Sequence, residues 1–219
     1  MISVAMAVEP PDFDARVRRP GLSAIRELAG RRPLLRRSAH KRAAICGRYR
    51  DIPSGKYPEF WREALPDVAA AYGRICAYSC LYIHSATGGP TIDHLLPKAM
   101  AWYGVYRWSN YRLACSLMNS RKGADERVLD PFRVEDGWFA MEFTAYQVAP
   151  GPAATGDVLT EVLYTIERLR LNDARCCDER RDYVQWYETG ELTLRHLDAK
   201  APFIARELRR NGRLLPDDR

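Results

Sequence analysis

The residues best suited to chemistry lie between positions 91 and 123. Asp93 and His94 are adjacent, Asn110 follows after a loop, and Asn119 and Lys122 come a short way further on. Carboxylate and amide oxygens are ligands that Mg²⁺ and similar cations accept. An imidazole titrates near neutral pH and can take a proton from water. A cation beside an activated water can hydrolyse a phosphodiester, and this set of residues predicts that chemistry.

The order of these residues resembles the HNH endonuclease family, which has the ββα-metal fold. The matching segments are Thr91-Ile92-Asp93-His94-Leu95-Leu96-Pro97-Lys98, then Trp108-Ser109-Asn110-Tyr111-Arg112-Leu113-Ala114-Cys115, then Asn119-Ser120-Arg121-Lys122-Gly123. The last family position is Asn119 where many members have His. The match covers roughly residues 74 to 123, less than a quarter of the chain. It implies a metal-dependent endonuclease that acts on DNA, by nicking or by double-strand cutting, with an RNA target left open.

Each residue then has an expected role. Asp93 and Asn119 are expected to hold one Mg²⁺ or Mn²⁺ ion. His94 is expected to activate water, and its side chain leaves the strand on the opposite face from that of Asp93 because strand side chains alternate. The resemblance implies that Asn110 orients His94 by a hydrogen bond. Lys122 follows Asn119 by three residues, on the same helix face, and is expected to meet a substrate phosphate.

Three cysteines stand near positions where many HNH proteins hold a structural zinc ion. These are Cys76, Cys80 and Cys115, but Met118 occupies the place of the fourth ligand. A closed zinc site needs four ligands, and a thioether is a poor one. We therefore expect a degenerate zinc site whose cysteines line a small core. The alternative is a zinc ion completed by a ligand that the sequence does not identify.

Basic residues are concentrated near the start of the chain. The formal net charge is +6, and thirteen Lys and Arg face six Asp and Glu before Trp61. Guanidinium groups suit phosphate oxygens, so this segment can follow a nucleic-acid backbone. A solvated helix face, or a docking surface for an acidic protein, explains the charge equally well. The candidate nucleic-acid-binding residues are Arg31, Arg32, Arg36, Arg37, Lys41, Arg42 and Arg121.

The pattern of apolar residues predicts an α+β protein with a small ββα-metal core and mainly helical extensions at both ends. The predicted domains are residues 1–73 (a basic helical extension that begins with an extended arm over 1–20), 74–125 (the HNH core) and 126–219 (short strands, then helices). Within the core we predict strands over 80–85 and 91–95 and a helix over 110–121, ended by Gly123. Outside it we predict helices over 34–47, 158–169, 179–188 and 196–209, a helix after Pro58 that Pro66 divides, and a strand over 137–143 paired with 144–149.

Composition narrows the partners and the compartment. The chain has 47% hydrophobic and 28% charged residues, without a run of the eighteen or so apolar residues that a membrane span needs. The first residues do not read as a signal peptide, and six cysteines without one predict a reducing, cytoplasmic environment and no membrane partner. By analogy with stand-alone HNH nucleases of bacterial anti-phage systems, an ATPase subunit is a second expected partner beside DNA.

Two rival functions remain open at this stage. The chain could be a partner-gated or inactive HNH-fold subunit that serves as a nucleic-acid or protein binding module. It could also be a regulator that binds nucleic acid through the arginine-rich segment. The first rival predicts weak metal affinity in the isolated chain, and the second predicts that binding survives His94→Ala without any product.

Overall fold

The computed structural model describes residues 1–35, 42–86 and 88–218 as a mixture of helices and short strands. This confirms the α+β class. The α-helices are α1 (Arg19–Leu28), α2 (Leu65–Ala71), α3 (Ser116–Lys122), α4 (Gly156–Arg168), α5 (Ala174–Glu188), α6 (Leu194–Lys200) and α7 (Pro202–Arg210). The strands are β1 (Pro90–His94), β2 (Tyr111–Cys115), β3 (Phe139–Met141) and β4 (Val148–Pro150), which form the antiparallel pairs β1–β2 and β3–β4.

The β1–β2 pair and the helix that follows it carry the candidate site. Ile92 lies opposite Leu113, and both are buried, while Asp93 lies opposite Arg112. β2 continues directly into α3, because the extended Cys115 precedes the first helical residue. α3 ends at Gly123, whose φ of 56° and ψ of −130° lie in a region that favours glycine, as predicted. The arrangement is therefore strand, loop, strand and helix.

Two predictions about these elements are wrong. The partner of β1 is β2 and not a strand over 80–85, because the chain before β1 turns back on itself. Ile75 and Tyr82 form a single bridge, and Cys80 has a φ of 58°, which an extended strand cannot accommodate. The helix predicted over 110–121 begins only at Ser116, since the residues before it pair with β1.

The first forty-seven residues also depart from expectation. Residues 1–20 do not form an extended arm throughout, because a π-helix over Asp14–Arg18 runs into α1, with Pro20 in the first turn. Phe13 and Val17 are fully buried, and this burial explains why the segment folds onto the rest of the chain. The helix predicted over 34–47 lies partly outside the described residues, at 36–41. Residues 42–46 are not helical.

Most of the other predicted elements are present. Pro66 divides its helix, with a 3₁₀ segment over Phe60–Ala64 before α2. β3 and β4 form the expected pair. The three predicted C-terminal helices correspond to α4, to α5, and to α6 together with α7. The single helix predicted over 196–209 is divided in two, because Pro202 begins a new helix.

One hydrophobic cluster joins the N-terminal segment to the β1–β2 pair. The ring of Phe13 packs edge-on against those of Trp108 and Tyr111, at centroid distances of 5.7 and 5.9 Å. The indole of Trp108 also donates a hydrogen bond to the carbonyl of Ala7. The N-terminal segment therefore supports the floor of the candidate site. Across the described ranges, every helix is too short or too polar to cross a membrane.

Candidate active site

A cleft of about 580 Å³ opens beside β1 and beside Asn119, where the last turn of α3 begins. Asp93, His94 and Asn119 all line it, so folding brings three of the predicted site residues to one place. Trp61 and Lys98 also line the cleft. The cleft therefore combines oxygen ligands, an imidazole and a cation within one cavity.

His94 is held by the end of β1 as a neutral imidazole. Its Nε2 lies 3.0 Å from the carbonyl oxygen of Val105, which can only accept, so Nε2 carries the proton. Nδ1 then has a free lone pair, and no group of the described residues donates to it. Burial, together with the charges of Lys98 and Lys122, lowers the pKa of His94 to about 4. At neutral pH the ring is therefore in the form that a general base requires.

Asp93 is buried and belongs to a closed polar cluster. Its Oδ2 accepts a hydrogen bond of 2.5 Å from Tyr78, and its Oδ1 lies 3.2 Å from the ammonium of Lys122. Burial raises the pKa of Asp93, while the charge of Lys122 and the hydrogen bond from Tyr78 oppose the rise. Because a buried carboxylate beside a buried ammonium satisfies the charge of both, we read the pair as ionised.

The predicted role of Lys122 in phosphate binding is therefore wrong for this structure. Its side chain is fully buried, and its ammonium donates to Asp93 and to the carbonyl oxygens of His94 and Leu95. Lys122 instead ties the last turn of α3 to the end of β1. A substrate phosphate cannot reach it without opening this cluster.

Asn119 presents its amide toward the cleft from α3. Its Nδ2 donates to the hydroxyl of Thr91 at 3.0 Å, and that hydroxyl donates to the carbonyl of Ala114. The Oδ1 atom accepts no hydrogen bond from the part of the chain that the structure describes. The orientation of the amide is therefore fixed by its nitrogen, and its oxygen remains available as a ligand.

Asn110 does not hydrogen-bond to His94, contrary to the expectation. Its Nδ2 donates to the carbonyls of Leu96 and Gly104, and its Oδ1 accepts from the backbone of Leu96 at 2.8 Å. Both amide protons are thereby used. Asn110 fixes the loop that carries Val105, and through that carbonyl it acts on His94 indirectly. It is a positioning residue, one step removed from the imidazole.

The donor set fits a hard divalent cation. Asp93 and Asn119 supply a carboxylate and an amide oxygen in the same cleft. Each carboxylate oxygen has two lone pairs, so its hydrogen bonds to Tyr78 and Lys122 leave acceptor capacity. Mg²⁺ commonly takes one or two protein oxygens and keeps several waters. Clusters of three or more His, Cys, Asp and Glu are absent from the described residues, so a metal here depends on the amide.

The three cysteines of the degenerate zinc site lie against the core. Cys76 and Cys80 are buried and Cys115 is half-buried. The sulfur of Cys76 accepts a hydrogen bond of 3.4 Å from the backbone of Cys115, and Met118 fills the neighbouring space as a buried side chain. Cys76 and Cys80 thus belong to the hydrophobic core, and Cys115 packs against it.

The predicted nucleic-acid-binding residues divide into three groups. Arg31 and Arg32 are exposed, and Arg42 is half-buried against Glu27 and the ring of Phe60. Arg36, Arg37 and Lys41 lie outside the described residues. Arg121 does not face a substrate, because its guanidinium donates to the carbonyls of Leu169 and Arg170 and pairs with Asp173. That part of the prediction is wrong, since Arg121 joins α3 to the segment before α5.

The sequence reasoning missed three residues of the site. Tyr78 had no recognisable signal, because its bond to Asp93 depends on the turn before β1. Trp61 is a buried core residue, and its ring also meets the edge of the His94 ring at a centroid distance of 5.1 Å. Lys98 lies 4.3 Å from the ring of Trp61, and burial lowers its pKa. A signal for it existed, since Lys98 is the only charged residue between His94 and Arg107.

Comparison with known proteins does not identify the chain. No family model matches it, and no curated protein matches it. The function must therefore be inferred from the residues of the cleft and their geometry.

Proposed function

We propose that this protein is a metal-dependent endonuclease with a ββα-metal core that hydrolyses phosphodiester bonds in DNA. The observation that carries the proposal is the state of His94. Its Nε2 is committed to the Val105 carbonyl, its pKa is lowered to about 4, and it lines the same cleft as Asp93 and Asn119. A neutral imidazole that lines one cleft with two oxygen ligands is suited to phosphodiester hydrolysis.

His94 acts as the general base through Nδ1. A water between Nδ1 and the phosphorus would lose its proton to the ring as the new P–O bond forms. The bond from phosphorus to the leaving oxygen would break in return, and that oxygen would take a proton from solvent. Burial makes the charged imidazolium that results unfavourable. The hydrogen bond to the Val105 carbonyl stabilises that charged form and offsets part of the penalty. The carbonyl thus both selects the tautomer and favours the protonated product of the step.

Asp93 and Asn119 would hold the cation, Mg²⁺ or Mn²⁺. Bound there, the ion supplies Lewis-acid stabilisation of charge on the phosphate and on the leaving oxygen. Tyr78 and Lys122 orient the Asp93 carboxylate by occupying one lone pair on each oxygen. Asn119 is oriented in the same way through Thr91. Both ligands are therefore preorganised before any ion arrives.

Lys98 takes the place that Lys122 cannot fill. Its ammonium lies over the ring of Trp61 on the wall of the cleft, without an ion pair to any acid of the described residues. A half-buried cation attracts a phosphate, because little water competes with it, and Glu59, which lines the same cleft and raises the pKa of Lys98, forms no ion pair with it. Lys98 is therefore the phosphate-binding cation of the proposal.

The test is cleavage of supercoiled plasmid DNA with Mg²⁺ or Mn²⁺. Native protein should yield nicked or linear product, and EDTA or His94→Ala should abolish it. His84→Ala is the matched control, because His84 is exposed and its ring meets the edge of the Tyr82 ring. Loss of activity in both variants, or equal activity in both, would contradict the role of His94.

One observation favours a second function, a subunit gated by a partner. The ammonium of Lys122 already pairs with Asp93, so its positive charge opposes the binding of a second cation at the same carboxylate. Calorimetric titration of the isolated protein with Mn²⁺ separates the two readings. Binding that Asp93→Asn weakens supports the nuclease, whereas no binding together with no cleavage by folded protein supports a gated subunit.

A further inference from the structure

We propose that a strip of aromatic and arginine side chains beside the cleft binds an unpaired nucleic-acid strand. The strip consists of Arg31, Tyr49, Trp102, Tyr103 and Arg107. It deepens the proposed function, on which it rests, by naming the form of the substrate: a strand whose bases are free to stack.

The five side chains form a continuous series of contacts. The guanidinium of Arg31 lies 5.3 Å from the centre of the Tyr49 ring, and that ring lies 4.5 Å from Trp102. Trp102 meets Tyr103 edge to face at 6.1 Å, and the guanidinium of Arg107 lies 5.5 Å from the Tyr103 ring. Three rings are thus bracketed by a cation at each end.

Tyr103 is the most exposed ring of the strip at 47%, and Tyr49 and Trp102 are half-buried. Tyr106 and Trp108, a few residues further along the same loop, are instead buried with their polar atoms bonded to backbone carbonyls. Contiguous apolar surface rimmed by polar groups marks binding sites, and here an arginine borders the rings at each end. Arg31 and Arg107 are exposed and form no ion pair with the described acidic residues.

Two segments of the strip lie close in sequence to residues that line the cleft. Lys98 and Ala99, four and three residues before Trp102, line it. Ser54, five residues after Tyr49, lines it as well. A strand whose phosphate lies in the cleft would therefore meet the strip with its neighbouring nucleotides.

The aromatic and guanidinium groups of the strip determine which form of nucleic acid it binds. Any base can stack on an aromatic ring, so such a surface binds with little dependence on sequence. Guanidinium groups at the two ends can contact phosphates or stack on bases themselves. In a double helix the base faces are already covered by their neighbours. The strip is therefore expected to prefer an unpaired strand over a duplex.

The experiment is fluorescence anisotropy with a labelled 20-nucleotide DNA strand of mixed sequence in EDTA, where no metal-dependent cleavage can occur. The same sequence as a duplex and as single-stranded RNA provides the comparison arms. Tyr103→Ala and Arg107→Ala should each raise Kd for the single strand by at least about fivefold. Tyr103→Phe, which keeps the ring, should bind as the native protein does.

The matched controls lie on α5, away from the strip. Trp186→Ala removes a ring that is 41% exposed, and Arg175→Ala removes an exposed arginine, so each changes the surface or charge comparably. Both should leave Kd unchanged. Duplex binding as tight as single-strand binding, or equal losses in the α5 variants, would overturn the proposal. Tight binding to either unpaired DNA or unpaired RNA supports it, and the two arms show which strand is preferred.

Failure of the strip and failure of the proposed function can be told apart. Plasmid cleavage that depends on His94, without single-strand binding that depends on Tyr103, would leave the nuclease proposal standing and remove the strip. Binding that depends on Tyr103, without cleavage under any condition, would leave the strip standing and remove the nuclease proposal.

Discussion

At the scale of single residues, Lys122 shows how burial changes the meaning of a motif. Its ammonium is completely buried and pairs with Asp93, so its charge stabilises that carboxylate and cannot contact a ligand. His94 is equally shaped by its surroundings, since burial holds its pKa near 4. Two residues with familiar chemistry in water thus acquire specific states from the groups packed around them.

Lys122→Met should destabilise the protein by about 3 to 5 kcal/mol, because it leaves the Asp93 carboxylate buried without its cation. Urea unfolding followed by far-UV circular dichroism measures the change. The double variant Asp93→Asn with Lys122→Met removes both charges and should recover much of the loss. A single variant as stable as the native protein would show that the pair is not ionised.

The lowered pKa of His94 predicts a pH dependence of stability. The unfolded chain binds a proton at its ordinary pKa near 6.5, but the folded protein does so only near 4. Protons therefore favour the unfolded state as pH falls between these values, and about 3 kcal/mol of stability should be lost across that window. Asp93, whose pKa is raised, acts in the opposite direction.

Comparison with His94→Gln isolates the histidine from the carboxylate. The difference in unfolding free energy between the native protein and the variant should change steadily from pH 6.5 to pH 4 and level off below it. A difference that does not vary over this range would mean that His94 titrates normally in the folded protein.

At the scale of elements, the site depends on how the loop between β1 and β2 is held. Asn110 holds the loop by hydrogen bonds to Leu96 and Gly104. The hydroxyl of Tyr106 donates a hydrogen bond to the carbonyl of Pro58 and fixes the loop there as well. α1 supports the same loop from below, because Gly21 packs against the ring of Tyr106. The carbonyl that sets the tautomer of His94 therefore belongs to a loop fixed at several points.

Asn110→Ala should lower both stability and activity, since it removes the partner of the buried Gly104 carbonyl and of the backbone N–H and carbonyl of Leu96. The expected loss of stability is about 1 to 3 kcal/mol. Hydrogen exchange of the Leu96 amide should accelerate strongly, while exchange in β3 and β4 stays as in the native protein. Unchanged protection at Leu96 would contradict the positioning role of Asn110.

Gly21→Ala should weaken the docking of α1. A Cβ at this position would lie 2.4 Å from the Tyr106 ring, so the ring must move and its hydrogen bond to Pro58 must stretch. We expect a loss of about 1 to 3 kcal/mol in thermal or urea unfolding. Gly47→Ala is the control, because a Cβ there meets nothing within 4 Å and should have little effect.

At the scale of the whole molecule, the candidate site is assembled from distant parts of the chain. Trp61 packs on His94, and Phe13 packs on Tyr111 beneath it. On the other side, Arg112 of β2 forms a two-pronged ion pair with Asp130, at 2.7 and 2.8 Å. The strands that carry the site are therefore supported from both flanking regions.

Residues 74–125 alone should accordingly fail to fold into a stable unit. The fragment lacks Phe13 and Trp61, and it leaves Arg112 of β2 buried without Asp130 in any native-like arrangement. Circular dichroism should show no cooperative thermal transition, in contrast to the full chain. A cooperative transition in the fragment would establish the predicted core as an independent domain.

The sequence by itself determined the local parts of this protein. The strand that carries Asp93 and His94, the glycine that ends α3 and the C-terminal helices could be predicted, because apolar periodicity and turn residues act over short distances. The prediction misplaces the partner strand, because residues 111–115 fall in the helix predicted over 110–121 and their pairing with β1 depends on packing.

Only the tertiary structure decided the state of each site residue. Contacts with Tyr78, Trp61 and Val105, which lie 15, 33 and 11 positions away along the chain from their partners Asp93 and His94, set ionisation and tautomer. The physical reason is that desolvation and charge pairing depend on what surrounds a group in space. A sequence motif shows which chemical groups are present, whereas burial determines which of those groups can contact a substrate.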